Sequence, residues 1–340
     1  MEPLNELIKA LCCLNAPSGS EQPAADYILQ KIAPYCTAEK DLNGNIIAFK
    51  KGKKRPKNRV MLDAHLDEVG VIITAVTESG FALFEPLGGI LPEALVCKRV
   101  LVNGHLGVIG AKPIHLASAE ERKAPFTQKD LTIDFGAANR AEALTLVQPG
   151  DCGTFESEFT PLEGNFVKAK ALDDRVGCAL LMQLLSQPAE YDYYATFTVQ
   201  EELGCRGAKT AAFTVQPNIA LVLEATTAND IAGTPPEKAV CFAGGGAVVS
   251  FMDRATLYDR ELFELALATA AEQKIAVQTK NAVAGGNNAG AISLSGAGVR
   301  TLALSLPCRY IHSPSGIASL EDCKALQALA AALLPKLCCL

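Results

Sequence analysis

The fold of this chain is set by the stretch Arg59-Val60-Met61-Leu62-Asp63-Ala64-His65-Leu66-Asp67-Glu68. Its apolar run predicts a buried strand with His65 at its end. Side chains two residues apart lie on one side of a strand, so His65 and Asp67 point together if the strand continues that far. A carboxylate beside an imidazole orients the ring as a metal ligand. The alternative is a capping Asp beside a histidine of the core.

Strands and helices alternate on both sides of this stretch. Two helices are predicted before it, and an Asn-Gly pair at 43–44 favours a β-hairpin. After Lys170 buried β-type runs alternate with helical periods, and the last helix begins at Ser319. This alternation predicts an α/β fold, a three-layer α/β/α domain whose mixed sheet is covered on both faces.

Between residues 69 and 165 the pattern changes. Short β-type runs are separated by Gly, Pro and Asn, and almost nothing has the helical period. This pattern predicts a small all-β, barrel-like domain inserted between the two halves of the α/β domain.

Composition excludes several classes of protein. The 340 residues carry a net charge of −6, which argues against a nucleic-acid partner, and 49% are hydrophobic, which argues for a substantial core. No apolar run approaches the roughly 20 residues of a membrane helix. No signal peptide is evident, and the twelve cysteines include no CxxC pair. We therefore expect a cytoplasmic protein with reduced thiols and no membrane partner.

Polar residues follow several predicted strands and suggest a metal site. In open α/β sheets ligands bind at the carboxyl edge of the strands, where these side chains meet. Two histidines and several carboxylates there make a plausible ligand set for two divalent ions, with one carboxylate left over as a base. The residues are His65, Asp173, Glu201, Glu202, Glu224 and His312.

Taken singly, these residues also fit purely structural roles. Asp173 and Asp174 precede a helix and can cap its N-terminus. Glu201 and Glu202 can be solvated loop charges, although adjacent carboxylates are costly unless a cation offsets them.

The sequence resembles the dinuclear metallo-aminopeptidases of the tetrahedral (TET) and glutamyl aminopeptidase type over its full length. The matching stretches are MLDAHLDEVG (61–70), GVIGAKPIHL (107–116), LTIDFGAANRAEAL (131–144), VKAKALDDRVGCALL (167–181), TVQEELGCRGA (198–208) and RYIHSPSG (309–316). The resemblance implies a catalytic domain of residues 1–66 and 166–340 and an inserted oligomerisation domain of residues 67–165.

The resemblance also implies roles for the site residues. One metal ion is held by His65 and Glu224, a second by Glu202 and His312, and Asp173 bridges both. Glu201 is the general base and Asp67 is the partner of His65. A cis peptide bond is implied between Asp173 and Asp174. The implied cofactors are two divalent ions, and zinc, cobalt and manganese all suit this ligand set.

Two positions depart from the family pattern. Members often have Asp where this chain has Glu224, which keeps the ligand oxygens on a longer side chain. The Gly-Thr-Asp often seen near the substrate pocket is here Gly286-Asn287-Asn288. Asn288 is therefore a candidate substrate-binding residue, and no glutamyl preference is assumed.

The expected activity is removal of N-terminal residues from peptides by a homo-oligomer, implied to be a twelve-subunit shell. Another co-catalytic metal hydrolase, an N-acyl amino-acid deacylase or a dipeptidase, is the main alternative, but no Arg for a substrate carboxylate is evident. Members have also been labelled endoglucanases, although a glycosidase uses two carboxylates without metal. An inactive peptide-binding scaffold is the alternative from another class, and the retained Glu201 argues against it.

Overall fold

Strands with apolar side chains on both faces form the centre of the large sheet. In β3 (Val60–His65) all six residues are buried, and β13 (Ile219–Thr227) is buried along nearly its whole length. Such continuous apolar runs are typical of strands covered on both faces. The computed structural model describes residues 1–120 and 122–340.

Nine α-helices occur in the described part of the chain. Their bounds are α1 Leu4–Cys12, α2 Gln22–Ile32, α3 Pro92–Leu95, α4 Arg140–Leu146, α5 Leu172–Ser186, α6 Arg206–Val215, α7 Arg260–Gln273, α8 Asn288–Ser293 and α9 Leu320–Cys339.

The strands divide between a large sheet and a barrel. The large sheet contains β3 and β13 together with β1 Thr37–Lys40, β2 Ile46–Lys50, β10 Thr160–Leu162, β11 Phe166–Ala169, β12 Tyr193–Thr198, β14 Ala247–Val249, β15 Val277–Thr279, β16 Arg300–Arg309 and β17 Gly316–Ser319. The barrel contains β4 Gly70–Val76, β5 Ala82–Leu87, β6 Arg99–Val102, β7 His105–Ala111, β8 Leu131–Asp134 and β9 Cys152–Phe155.

The large sheet is mixed. Its main order is β1-β2-β12-β3-β13-β16-β17-β11-β10, and the four central strands β12, β3, β13 and β16 are parallel. Strand β11 runs in the same direction as β16, because both are antiparallel to β17. The carboxyl ends of five strands therefore lie at one edge of the sheet.

Helices cover both faces of this sheet. Leu62 and Leu221 point to the face that packs on α1, α2, α5, α7 and α9. Met61 and Ala220, one residue earlier in the same strands, point to the face that packs on α6 and α8. Period-2 alternation thus builds the predicted three-layer α/β/α architecture.

The β-rich segment closes into a six-stranded barrel in the order β4-β5-β8-β7-β6-β9. It has its own core, which includes Val71, Val100 and Ile133. The predicted inserted all-β domain is therefore confirmed as a fold. β10, whose residues fall within 67–165, pairs with β11 in the large sheet.

The sequence pattern predicted almost no helix in this segment, but the structure contains the helix α4 there. Asn139 caps that helix by accepting the N–H of Glu142 at 3.1 Å, and Ala143 is its one fully buried residue. A helix that buries so little has no periodic apolar face to detect.

Two further observations concern the environment of the chain. Within residues 1–120 and 122–340, no helix is long and apolar enough to cross a membrane. All twelve cysteines are free thiols.

Candidate metal centre

The predicted site residues meet at the carboxyl edge of the parallel strands. His65 is the last residue of β3, and Glu224 lies within the carboxyl half of β13. Glu201 and Glu202 follow β12, Asp173 follows β11, and His312 follows β16. The shared direction of the strands therefore brings together side chains that are up to 247 residues apart in sequence (65 to 312).

The carboxylate of Asp173 lies between the two histidines. Its Oδ1 is 3.2 Å from Nε2 of His65, and its Oδ2 is 3.2 Å from Nε2 of His312. Each oxygen thus faces a different imidazole, which is the arrangement expected of a carboxylate that bridges two cations.

A further carboxylate completes each half of the site. Oε1 of Glu224 is 3.4 Å from Nε2 of His65, and Oε1 of Glu202 is 3.3 Å from Nε2 of His312. Ligand atoms of His65, Asp173 and Glu202 all lie within 4.8 Å of one another, close enough to hold an ion.

Hydrogen bonds fix the orientation of both imidazoles. Nδ1 of His65 is 3.1 Å from the carbonyl oxygen of Asp67, and Nδ1 of His312 is 3.0 Å from that of Gly89. A carbonyl oxygen only accepts, so each Nδ1 donates to it, and each Nε2, which faces Asp173, is the ring atom left to bind a cation. Gly89 follows β5, so the barrel side of the chain contributes to the site.

Asp67 organises the loop that carries both glutamates. Its Oδ1 accepts the N–H of Glu201 at 3.0 Å, and its Oδ2 accepts the N–H of Glu202 at 3.1 Å. The hydroxyl of Ser18 donates to Oδ2 at 2.6 Å. Although β3 ends at His65, Asp67 is fully buried beside the imidazole. Sequence reasoning missed Ser18, which lies in a turn that has no chemical motif of its own.

The two adjacent aspartates have different partners. Asp174 accepts the backbone N–H of Gly177 at 2.9 Å and that of His65 at 3.2 Å, so it caps the start of α5. Asp173 faces the histidines instead. Asp174 also lies within 4.8 Å of His65 and Glu224, but its oxygens are already engaged by these amides. The peptide bond between the two aspartates is cis, as the resemblance implies.

The electrostatics of this cluster favour a bound cation. Burial and the charge of Asp173 raise the pKa of Glu224 well above its ordinary value, and burial raises that of Glu202 to about 8. Burial opposes the charged form of Asp173, but hydrogen bonds from His312 and His65 hold its pKa below the ordinary range. Neighbouring carboxylates that are forced toward protonation become ionised when divalent cations bind them.

The donor set fits such cations. Two imidazoles and three carboxylates suit zinc, cobalt or manganese. Oε1 of Glu202 is buried and accepts no hydrogen bond from the described residues, although Nε2 of His312 lies 3.3 Å away. A buried acceptor without a partner is costly, and a metal ion at this position removes that cost.

The profile of the M42 glutamyl aminopeptidase family matches residues 44–329. The chain belongs to the M42 family. It is 31% identical to a lysyl aminopeptidase of Pyrococcus furiosus over 309 residues, 87% of this chain and 86% of that protein.

Solved structures of similar proteins agree with this assignment. A TET aminopeptidase from a marine sediment archaeon of the Thaumarchaeota has a TM-score of 0.94 at 32% identity, covering 98% of this chain and 96% of that one. The TET1 peptidase of Pyrococcus horikoshii, which can assemble into a tetrahedron or a large octahedral shell, has a TM-score of 0.86 at 32% identity over 97% and 99% of the two chains. This M42 chain is thus an aminopeptidase, a hydrolase of peptide bonds, with a candidate metal site.

A cavity of about 410 Å³ opens beside the M42 site. Glu201 and Glu202 lie on its wall together with Asn287. Asn288 lies behind that wall, 1% exposed, with its amide donating to Asp63 and Thr198, both at 2.8 Å. A substrate contact by Asn288 stays a prediction, and Asn287 is the neighbour that faces the cavity.

Proposed function

We propose that this M42 chain removes N-terminal residues from peptides with two divalent metal ions and with Glu201 as the general base. The observation that carries the proposal is the position of Asp173 between His65 and His312, beside a cavity that Glu201 lines. The ions are zinc, cobalt or manganese.

The ligand assignment follows the two halves of the site. His65 and Glu224 hold one ion, His312 and Glu202 hold the other, and Asp173 belongs to both. When bound, the ions lower the pKa of water and polarise the scissile carbonyl.

Glu201 then carries the proton. Burial and the charge of Asp173 raise the pKa of its carboxyl, which favours acceptance of a proton from the attacking water. The protonated Glu201 passes this proton to the leaving amine. The bond from the backbone N–H of Glu201 to Asp67 keeps the carboxylate at the cavity wall. Asp67 thus positions Glu201 and does not touch the substrate.

Peptide substrates enter with a free N-terminus. A cavity wall that carries Glu201, Glu202 and Glu224 favours the positively charged α-amine. An N-acylated substrate lacks that charge, so the same wall disfavours a deacylase reaction.

We also propose a homo-oligomer, a twelve-subunit shell built through the inserted domain of residues 67–165, with residues 1–66 and 166–340 as the catalytic domain. The insert exposes large apolar side chains, among them Leu106, Ile114 and Leu116, which are 50%, 74% and 62% exposed. Exposed apolar groups of this kind mark interaction surfaces. Twelve free thiols favour a reducing compartment, the cytoplasm.

Hydrolysis of amino-acid p-nitroanilides tests the proposed activity. Metal-free protein is assayed before and after addition of zinc, cobalt or manganese, together with the variants Glu201→Gln and Glu237→Gln. Glu237 is an exposed glutamate that is not part of the cavity wall, so its variant is the matched control. We expect metal-dependent release of nitroaniline, and a loss of at least about 100-fold in kcat in Glu201→Gln with its metal content unchanged. A fully active Glu201→Gln protein would refute the assigned base.

A further inference from the structure

A thiol lies beside the proposed general base. Cys205 lines the same cavity as Glu201, and its Sγ is 3.4 Å from Oε1 of Glu201. Burial, followed by the charge of Glu201, raises the pKa of this thiol well above its ordinary value. The sulfur therefore keeps its proton, and a protonated thiol can donate a hydrogen bond to a carboxylate.

This thiol is the hydrogen-bond donor that the structure provides to the carboxylate of Glu201. Within residues 1–120 and 122–340 we find no second donor to that group. Asp67 accepts the backbone N–H of Glu201, but a bond to the backbone leaves the side-chain torsions of the glutamate free. The direction of the carboxylate therefore depends on the contact with Cys205.

Backbone hydrogen bonds fix the position of Cys205 relative to Glu201. The N–H groups of Gly204 and Cys205 both donate to the carbonyl oxygen of Glu201, each at 2.8 Å. These bonds close a turn over residues 201–205, in which Cys205 has a φ of +55°. The turn brings the thiol back to the carboxylate four residues earlier in the chain.

The side chain of Cys205 does not cap the helix that follows it. Cys205 precedes Arg206, the first residue of α6, where side chains commonly accept a hydrogen bond from the first turn, but the thiol makes no such bond. It also packs against the core beneath α6 and α8. The alternative to a role beside Glu201 is therefore a purely structural role in packing.

We propose that Cys205 is a positioning residue, whose thiol holds one carboxylate oxygen of Glu201 and leaves the other for the proton of the attacking water. This inference rests on the proposed function with Glu201 as the base. Hydrogen bonds to an ionised group are stronger than neutral ones, and a general base must lie within reach of the proton that it accepts. Sequence analysis missed this role, because it treated the cysteine only as one of twelve reduced thiols.

Steady-state kinetics of the metal-loaded protein test the proposal, with the amino-acid p-nitroanilide that the wild type cleaves fastest. Cys205→Ala removes the donor, and Cys205→Ser keeps a donor on a slightly shorter side chain. Cys205→Gly is a second variant without a donor, and the positive φ suits glycine. Cys13→Ala is the control, because Cys13 is an exposed thiol that is not part of the cavity wall.

A double-mutant cycle separates positioning from packing. Cys205→Ala and Cys205→Gly are each combined with Glu201→Gln, and metal content and thermal midpoint are recorded for every protein. A loss of packing lowers activity with or without the base, whereas a loss of positioning matters only while the base is present.

We expect Cys205→Ala and Cys205→Gly to lower kcat about 10-fold and to change KM less than about twofold, with unchanged metal content. Cys205→Ser should retain kcat within about threefold of the wild type, and Cys13→Ala should retain all of it. Combined with Glu201→Gln, neither donor-free substitution should lower the remaining kcat by more than about twofold.

Three results would overturn the inference. The first is an unchanged kcat in the variants without a donor. The second is an equal loss of kcat in Cys205→Ser and Cys205→Ala, and the third is the same fold-loss with and without Glu201→Gln; both would assign the thiol to packing. Cys205→Gly keeps the test decisive if Cys205→Ala fails to fold. A wild-type protein that cleaves no p-nitroanilide would refute the proposed function itself, and the inference with it.

Discussion

The carboxylate of Asp67 accepts the backbone N–H of Glu201, with 3.0 Å between Oδ1 and N. This bond joins the loop after β3 to the loop after β12, and the second oxygen of Asp67 accepts the N–H of Glu202. One buried carboxylate therefore sets the position of both the proposed base and a proposed metal ligand.

Replacing Asp67 by Asn is expected to displace that loop. In the wild type, the two carboxylate oxygens of Asp67 accept the N–H groups of Glu201 and Glu202. The amide of Asn keeps one acceptor oxygen, so its NH₂ group faces the other N–H and cannot accept from it. We expect kcat to fall by about 10–100-fold with a smaller change in KM. Ser18→Ala removes a single hydrogen bond to the same carboxylate, so it should lower kcat less than Asp67→Asn does. Steady-state kinetics measure both, and unchanged kcat in Asp67→Asn would contradict the positioning role.

Metal stoichiometry tests the bridging role of Asp173. Because the two oxygens of Asp173 face different histidines, Asp173→Ala is expected to weaken the binding of both ions. His312→Ala should retain about one ion per chain. Native mass spectrometry of the metal-loaded variants gives the count. A wild-type metal content in Asp173→Ala would rule out the bridge. A chelator should lower the thermal midpoint of the wild type, since bound ions stabilise the folded state.

Gly88 directly follows β5 of the barrel and lies beside Glu202 of the candidate metal site. Its φ is +91°, and an added Cβ would lie 2.8 Å from Cγ1 of Val69 and 3.2 Å from Cβ of Glu202. Gly88→Ala is therefore expected to cost about 1–3 kcal/mol of stability and to lower activity by moving Glu202 or Gly89.

Gly104 provides the matched control for that substitution. It has a similar φ of +82° but nothing within 4 Å of an added Cβ. Gly104→Ala should therefore carry the backbone strain and keep full kcat/KM. Equal activity losses in the two variants would show that backbone strain, and not contact with the site, is responsible.

A buried ion pair beside the site supports the fold. Nζ of Lys170 is 2.9 Å from Oε2 of Glu68, and the two side chains are 3% and 2% exposed. Lys170→Met leaves that carboxylate buried with the more distant Arg175 at 3.5 Å, so we expect a loss of about 3–5 kcal/mol in the free energy of unfolding. Denaturant unfolding monitored by circular dichroism measures the loss.

Lys54→Met serves as the control for Lys170→Met. Lys54 pairs with Glu190 at 2.8 Å on the surface, where both side chains are more than half exposed. Its unfolding midpoint should not change measurably, because water and salt screen exposed pairs. An equally stable Lys170→Met protein would show that the buried pair contributes nothing.

The sequence determined the main strands and the edge of the sheet at which the site residues meet. Apolar runs such as the one before His65 specify buried strands locally, and parallel strands must place their carboxyl ends together. For that reason the sequence alone predicts His65, Glu224 and His312 as neighbours. Short elements such as α4 and α8 were not predicted, because six or seven residues are too few to show a reliable period.

Tertiary structure alone decided how neighbouring residues divide their roles. The local pattern does not distinguish Asp173 from Asp174, although the family resemblance does, and in the structure the backbone turns the first toward the histidines and the second toward amides. The bond from His312 to Gly89 and the cavity position of Asn287 depend on contacts between residues far apart in the chain. Local patterns carry no information on such contacts, because side-chain direction and burial are set by the packing of segments distant in sequence.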